Sequence, residues 1–123
     1  YFLYFETIDL CRNLYNRNKK MYIINNLKFD HLGTSTTNNK YSLIIQINRN
    51  WHFSWSKFYY FSKNFNYFFA LRKVLPNIYQ SIIGIILSII KLNYNHIKLH
   101  LYGLLGVLNS ILLRKSFYRP NIK

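Results

Sequence analysis

Beyond residue 43 the sequence loses the apolar–polar alternation that a β-strand needs, and helical spacing replaces it. In "RNWHFSWSKFYYFSKNFNYFFALRKV" the aromatic residues Trp51, Trp55, Phe58, Tyr59, Phe65 and Phe69 form a stripe that wanders round a helical face. Pro76 is expected to break this helix or open the next, because proline lacks the amide hydrogen that a helix interior uses. The segment after it, "NIYQSIIGIILSIIKL", is apolar on almost every side except a narrow stripe of Ser81, Gly84, Ser88 and Lys91. A final helix, "HIKLHLYGLLGVLNSILLRK", carries a stripe of His96, His100, Gly103, Ser110 and Arg114. Neither segment reaches the roughly 18–20 uninterrupted apolar residues of a spanning helix. Both are expected to be interfacial, with apolar faces in lipid or against the domain and cations at headgroup level.

The first part of the chain reads differently. "YFLYF" has the β-favouring aromatics of a short buried strand. From Glu6 the period becomes helical, with Ile8, Cys11, Leu14 and Tyr15 on one face and Arg12, Asn13, Asn16 and Arg17 on the other. This helix should end near "NRNKK". "MYIIN" then reads as a strand, "LKFDHLG" as a short extended piece and "GTSTTNNK" as a polar loop. Strand, helix, strand and loop make an α/β signature, in a chain of 123 residues that accommodates one modest domain.

Seventeen Lys and Arg stand against three acids, Glu6, Asp9 and Asp30, giving a net charge of +14. Such an excess favours a polyanionic neighbour: nucleic acid, a phosphorylated ligand or an anionic membrane surface. The cations are dispersed, with no run longer than "KK", so a nucleic-acid tail is not indicated and no nucleic-acid partner is expected. A single cysteine excludes an intrachain disulfide, and Cys11 lies on the apolar face of its helix as a core residue would. No glycine-rich phosphate loop, CxxC pair, HExxH or GxSxG occurs.

Three constellations bear chemistry. In "ETID", Glu6 and Asp9 fall in a helix's first turn, where the dipole favours negative charge. They are either capping acids or carboxylates at the edge of a parallel sheet, placed to deprotonate a hydroxyl. In "FDHLGTST", His31 is either a structural or exposed histidine or, with Asp30, part of a metal–diphosphate site, where Gly33 permits close backbone approach and Thr34, Ser35 and Thr36 offer hydroxyls to phosphate. In "NWHFSWSKFYY", Trp51, His52 and Trp55 between Arg49 and Lys57 form core, a sugar-stacking wall or a membrane interface, and the interface reading is favoured.

The order of "YFLYFETIDLCRNLYNRNKKMYIINNLKFDHLGTST", "NWHFSWSKFYYFSK" and "YGLLGVLNSILLRKSFYRP" resembles the C-terminal half of family 2 glycosyltransferases, nearest their rhamnosyltransferase-like members. The resemblance implies the C-terminal part of an α/β GT-A fold over residues 1–42 and a helical, membrane-associating region over 43–123. It implies sugar transfer from a nucleotide-sugar donor to a glycan or lipid-linked acceptor, with Mg²⁺ or Mn²⁺, peripherally at the cytoplasmic face of the inner membrane. Glu6 and Asp9 match the acids of the family's catalytic element, although Thr7 stands where a second adjacent acid is expected. His31 matches the histidine that meets metal and diphosphate, Gly33, Ser35 and Thr36 the diphosphate element, and Trp51, His52 and Trp55 the acceptor side. The family's nucleotide-binding half and its D-x-D site are not in the sequence, so the chain is expected to be a fragment, inactive alone and marginally stable. The alternative is a small, basic, non-catalytic membrane-surface protein that lies on anionic lipid through residues 77–115.

Overall fold

A computed structural model describes residues 3–28 and 41–119. They form four α-helices, α1 (Glu6–Asn16), α2 (Ser42–Asn64), α3 (Tyr67–Ile90) and α4 (Tyr94–Ile111). Among the described residues there is no β-strand, which overturns the α/β, GT-A expectation. The backbone gives the reason at the first predicted strand. Tyr4 and Phe5 have φ of 66° and 63°, a left-handed conformation that a pleated strand cannot contain. The second, "MYIIN", has no ladder partner among the described residues, and its side chains stand in solvent, Ile23 being 92% exposed. The predicted extended piece beginning at Leu27 and the polar loop after it lie mostly outside the described residues.

Helices α2, α3 and α4 pack on one another in all three pairings. Their connections are only two or three residues long, which makes sequence neighbours antiparallel. Asn66 starts α3, its Oδ1 accepting from the Phe69 amide at 2.7 Å. Asn93 starts α4 in the same way, accepting from the His96 amide at 3.2 Å. Pro76 neither ends a helix nor starts one; it lies inside α3, a second departure from expectation. Its neighbours hold the helix through that point, Val74 in the core and Asn77 accepting a hydrogen bond from Lys57 Nζ of α2.

The interior is small. Phe58, Ala70, Val74 and Val107 are buried together, flanked by Phe61, Leu71, Ile78 and Ile111. On α2, Ile47, Trp51, Trp55 and Tyr60 are buried as well, and the remaining inward positions are polar or tiny: His52, Ser54, Ser56, Ser88, Gly103, Gly106 and Ser110. Large aliphatic residues point outward instead, including Ile82, Ile86, Ile89 and Ile90 on α3 and Leu101, Leu105 and Leu108 on α4. The small-residue stripes therefore face helix neighbours, and the apolar flanks face outward. Small residues let helix backbones come close, as they do between helices in lipid.

Helix α1 begins at Glu6 and ends at Asn16, as its periodicity predicts, but the expected apolar face does not dock as a unit: Cys11 and Leu14 are half-buried, as are Arg12 and Asn13. Ile8 and Tyr15 are exposed, whereas Asp9 is buried against α2. Asp9 accepts hydrogen bonds from Lys63 Nζ, also its ion-pair partner, and from Asn64 Nδ2 at 2.8 Å. The Arg12 guanidinium lies 4.2 Å from the centre of the Phe65 ring. Just before the helix, Ser56 Oγ donates to the Leu3 carbonyl at 2.8 Å, and Phe5 lies against the rings of Phe53 and Tyr60. Specific polar pairs thus outweigh the modest apolar face in orienting α1.

Candidate functional site

The sequence of α2 places Trp51, His52, Trp55 and Tyr59 about one turn apart, and residues 114–118 run across them. Trp55 Nε1 donates to the Arg114 carbonyl at 3.0 Å. His52 lies 3.0 Å from two partners, the Tyr118 carbonyl at Nε2 and Ser116 Oγ at Nδ1. A carbonyl only accepts, so Nε2 carries the hydrogen; in the neutral imidazole Nδ1 then accepts from the serine hydroxyl, and Arg119 Nη1 lies 3.4 Å from Nε2. Burial pushes the His52 pKa below its ordinary value; the bond to Tyr118 opposes this, and the Arg119 charge adds to it. Trp51 is buried with Phe117 and Tyr118 rings against its own.

This strap leaves a groove of about 520 Å³ between the C-terminal half of α2 and residues 113–119. Trp55 and Tyr59, stacked with ring centres 4.9 Å apart, form one wall with Ser62. Arg114, Lys115 and Arg119 supply cations on the other, and Lys63 of α2, ion-paired with Asp9, also lines the groove. The Arg114 and Lys115 side chains are exposed and make no hydrogen bond or ion pair among the described residues. Arg119 Nη1 donates to its neighbour's carbonyl, Tyr118 O, at 2.6 Å. An aromatic wall opposite clustered cations in a cavity of ligand size suits an anionic group attached to an apolar or ring-bearing body.

The expected site residues divide into three groups. His31, Gly33, Ser35 and Thr36 lie outside the described residues. Glu6 and Asp9 are both on α1, but no strand end adjoins them among the described residues; Glu6 is exposed, and the Asp9 carboxylate is engaged with Lys63 and Asn64. Trp51, His52 and Trp55 are together, buried beneath the strap, and only Trp55 lines the groove. Among the described residues no three His, Cys, Asp or Glu side chains converge, and His31, which the resemblance assigns to the implied Mg²⁺ or Mn²⁺, lies outside them. The groove cations escaped sequence reasoning because Arg114, Lys115 and Arg119 are spread along a segment whose path depends on Trp55 and His52. The available signal was the "RK" after a leucine pair, beside an aromatic helix.

The outward surface of α3 and α4 is the second notable feature. Helix α3 is 24 residues long and apolar enough to cross a membrane by length and composition, with only 11% of its most apolar window buried by the rest of the protein. The helix attains that length because it runs on through Pro76, although Arg72, Lys73, Asn77 and Gln80 interrupt its apolar residues. Compared with known proteins, the chain matches no family model, no curated protein and no solved structure.

Proposed function

We propose that this protein is a basic, non-catalytic membrane-surface protein that seats the outer face of α3 and α4 in lipid and keeps α2 at the aqueous side. The observation that carries this reading is the inside-out distribution of side chains. Ile82, Ile86, Ile90, Leu101, Leu105 and Leu108 are exposed, while Ser88 on α3 and Gly103, Gly106 and Ser110 on α4 are buried. So wide an apolar exposure in a soluble chain is an aggregation liability; against acyl chains it is stabilising. The net charge of +14 adds attraction to anionic headgroups.

A seat in the interface accounts for α2 better than a crossing does. Lys57 Nζ bonds Asn77 in the middle third of α3, so a membrane-crossing α3 would carry that ammonium toward the bilayer centre. Burial, with the charge of Lys73, already pushes the Lys57 pKa down. Sugar transfer, the activity that the glycosyltransferase resemblance implies, has no observation among the described residues that favours it over lipid seating.

The test is single-cysteine labelling in vesicles, in a Cys11→Ser background, with cysteine placed at Gln80 on α3 or at Lys19. Protein added from outside should sediment with anionic vesicles. Lys19→Cys should react with an impermeant maleimide, and an environment-sensitive dye at Gln80→Cys should report an apolar surrounding. Cysteines at Asn66 and Asn93, the two ends of α3, should both react from the side of addition. Reaction from opposite sides would replace the seat with a crossing, and failure to sediment would reject the membrane reading altogether.

A further inference from the structure

We infer that the groove between α2 and residues 113–119 takes the phosphate of an anionic phospholipid, so that the protein holds one headgroup specifically besides lying on the charged surface. This rests on the membrane reading and deepens it. The path of the exposed leucines is the first observation. Leu101, Leu105, Leu108 and Leu112 recur at helical spacing along the outer side of α4, and Leu113 follows at the lip of the groove. Directly after that lip come Arg114 and Lys115, both lining the cavity with exposed side chains. A phospholipid whose acyl chains lie along the leucine stripe therefore brings its phosphate to Arg114 and Lys115. Apolar surface and cations follow each other in the order in which a lipid presents chain and headgroup.

Construction of the cavity is the second observation. Leu113 has a φ of 55°, a left-handed conformation in which a leucine is strained, and it turns the chain out of α4 into the strap. Trp55 fixes the strap at the next residue through the Arg114 carbonyl, which leaves the guanidinium to project independently of that bond. Ser62, Ser116 and Arg119 also line the groove, the Ser116 hydroxyl being bonded to His52. Arginine matches phosphate by its planar fork and lysine as a point charge, so the pair suits a phosphate better than a carboxylate. Among the described residues, no acid side chain lines this cavity to oppose an anion.

The experiment is vesicle sedimentation of the full chain with phosphatidylcholine alone and with phosphatidylcholine containing phosphatidic acid. Wild type is compared with R114Q/K115Q and with K19Q/K20Q, a matched loss of two adjacent cations on an exposed segment outside the groove. Helical circular dichroism checks that both variants fold. The expected result is roughly tenfold weaker binding to the phosphatidic acid vesicles for R114Q/K115Q, and less than about threefold for K19Q/K20Q. Equal losses would overturn the groove and leave the membrane reading standing on dispersed charge. Binding of soluble glycerol phosphate that R114Q/K115Q abolishes, with vesicle binding unchanged, would overturn the lipid source in favour of a small phosphorylated ligand. If wild type ignores every vesicle, the membrane reading fails and the groove assignment falls with it.

Discussion

A Cβ atom placed on Gly106 of α4 would lie 2.3 Å from the carbonyl oxygen of Trp51 on α2. The two helices therefore touch backbone to backbone at that level, where no side chain can move aside. Gly106→Ala must push the helices apart and is expected to cost about 3 kcal/mol, by the usual penalty of overpacking. At Gly103 the nearest atom is the amide nitrogen of the Asn50 side chain, which can rotate if it gives up its bond to the Leu99 carbonyl. Gly103→Ala should cost only about 1 kcal/mol. Denaturant unfolding in detergent ranks the two, and equal losses would show that the contact at Gly106 is not the tighter one.

Asp9→Asn should release α1 without unfolding the bundle. The substitution removes the charge that meets Lys63, a side chain 39% exposed, so solvent screens part of the loss. About 1–2 kcal/mol of local docking energy is expected to go, since hydrogen bonds to the amide partly replace those to the carboxylate. Hydrogen exchange should speed up across residues 6–16 and stay unchanged in α3 and α4. Uniform acceleration in every helix would mean that α1 is integral to the core.

Stability should fall on acidification because of His52. Its pKa is lowered in the folded protein, so below the ordinary value of about 6.5 the unfolded chain binds a proton that the folded chain resists. The contribution is fully present above about pH 6.5, and it is lost as pH falls toward and through the depressed folded value. Protonation would also put a hydrogen on Nδ1, where Ser116 now donates. Thermal unfolding followed from about pH 8 to about pH 5 should show this loss, and His52→Asn should flatten it. A wild-type profile as flat as the variant's would contradict the buried neutral imidazole.

Asn66→Ala tests the boundary between α2 and α3. Its side chain bonds the Phe69 amide, and losing such a cap costs about 1 kcal/mol. Asn66→Asp should retain the bond and add favourable charge at the helix N-terminus. If the Asp variant is no more stable than the Ala variant, the cap is not acting as described.

Much of the helical region was legible because its spacing is local. The start of α1 at Glu6, the aromatic stripe of α2 and the final helix through Gly103 all follow from residues three and four apart. What failed depended on partners that periodicity does not contain. "YFLYF" and "MYIIN" have strand-forming side chains, yet Tyr4 and Phe5 turn left-handed to lay rings on Phe53, and residues 21–25 find no neighbouring strand among the described residues. Pro76 continues through α3 because contacts on both sides hold it there. Orientation was harder still. A helix apolar almost all round does not say which side its serines face, and that became plain only with Ser88 and Gly103 buried between helices. The groove needed the strap's path, which two side chains of α2 determine.

The same strap sets an order of events in synthesis. A nascent chain that has emerged only as far as Ile111 contains all four helices, yet its His52 and Trp55 ring nitrogens have not met the Tyr118 and Arg114 carbonyls that receive their hydrogens. Until residues 114–118 leave the ribosome, those two donors must stay wet, and the aromatic face of α2 stays uncovered beside them. Covering of that face is thus timed by a short stretch of main chain rather than by any of the four described helices.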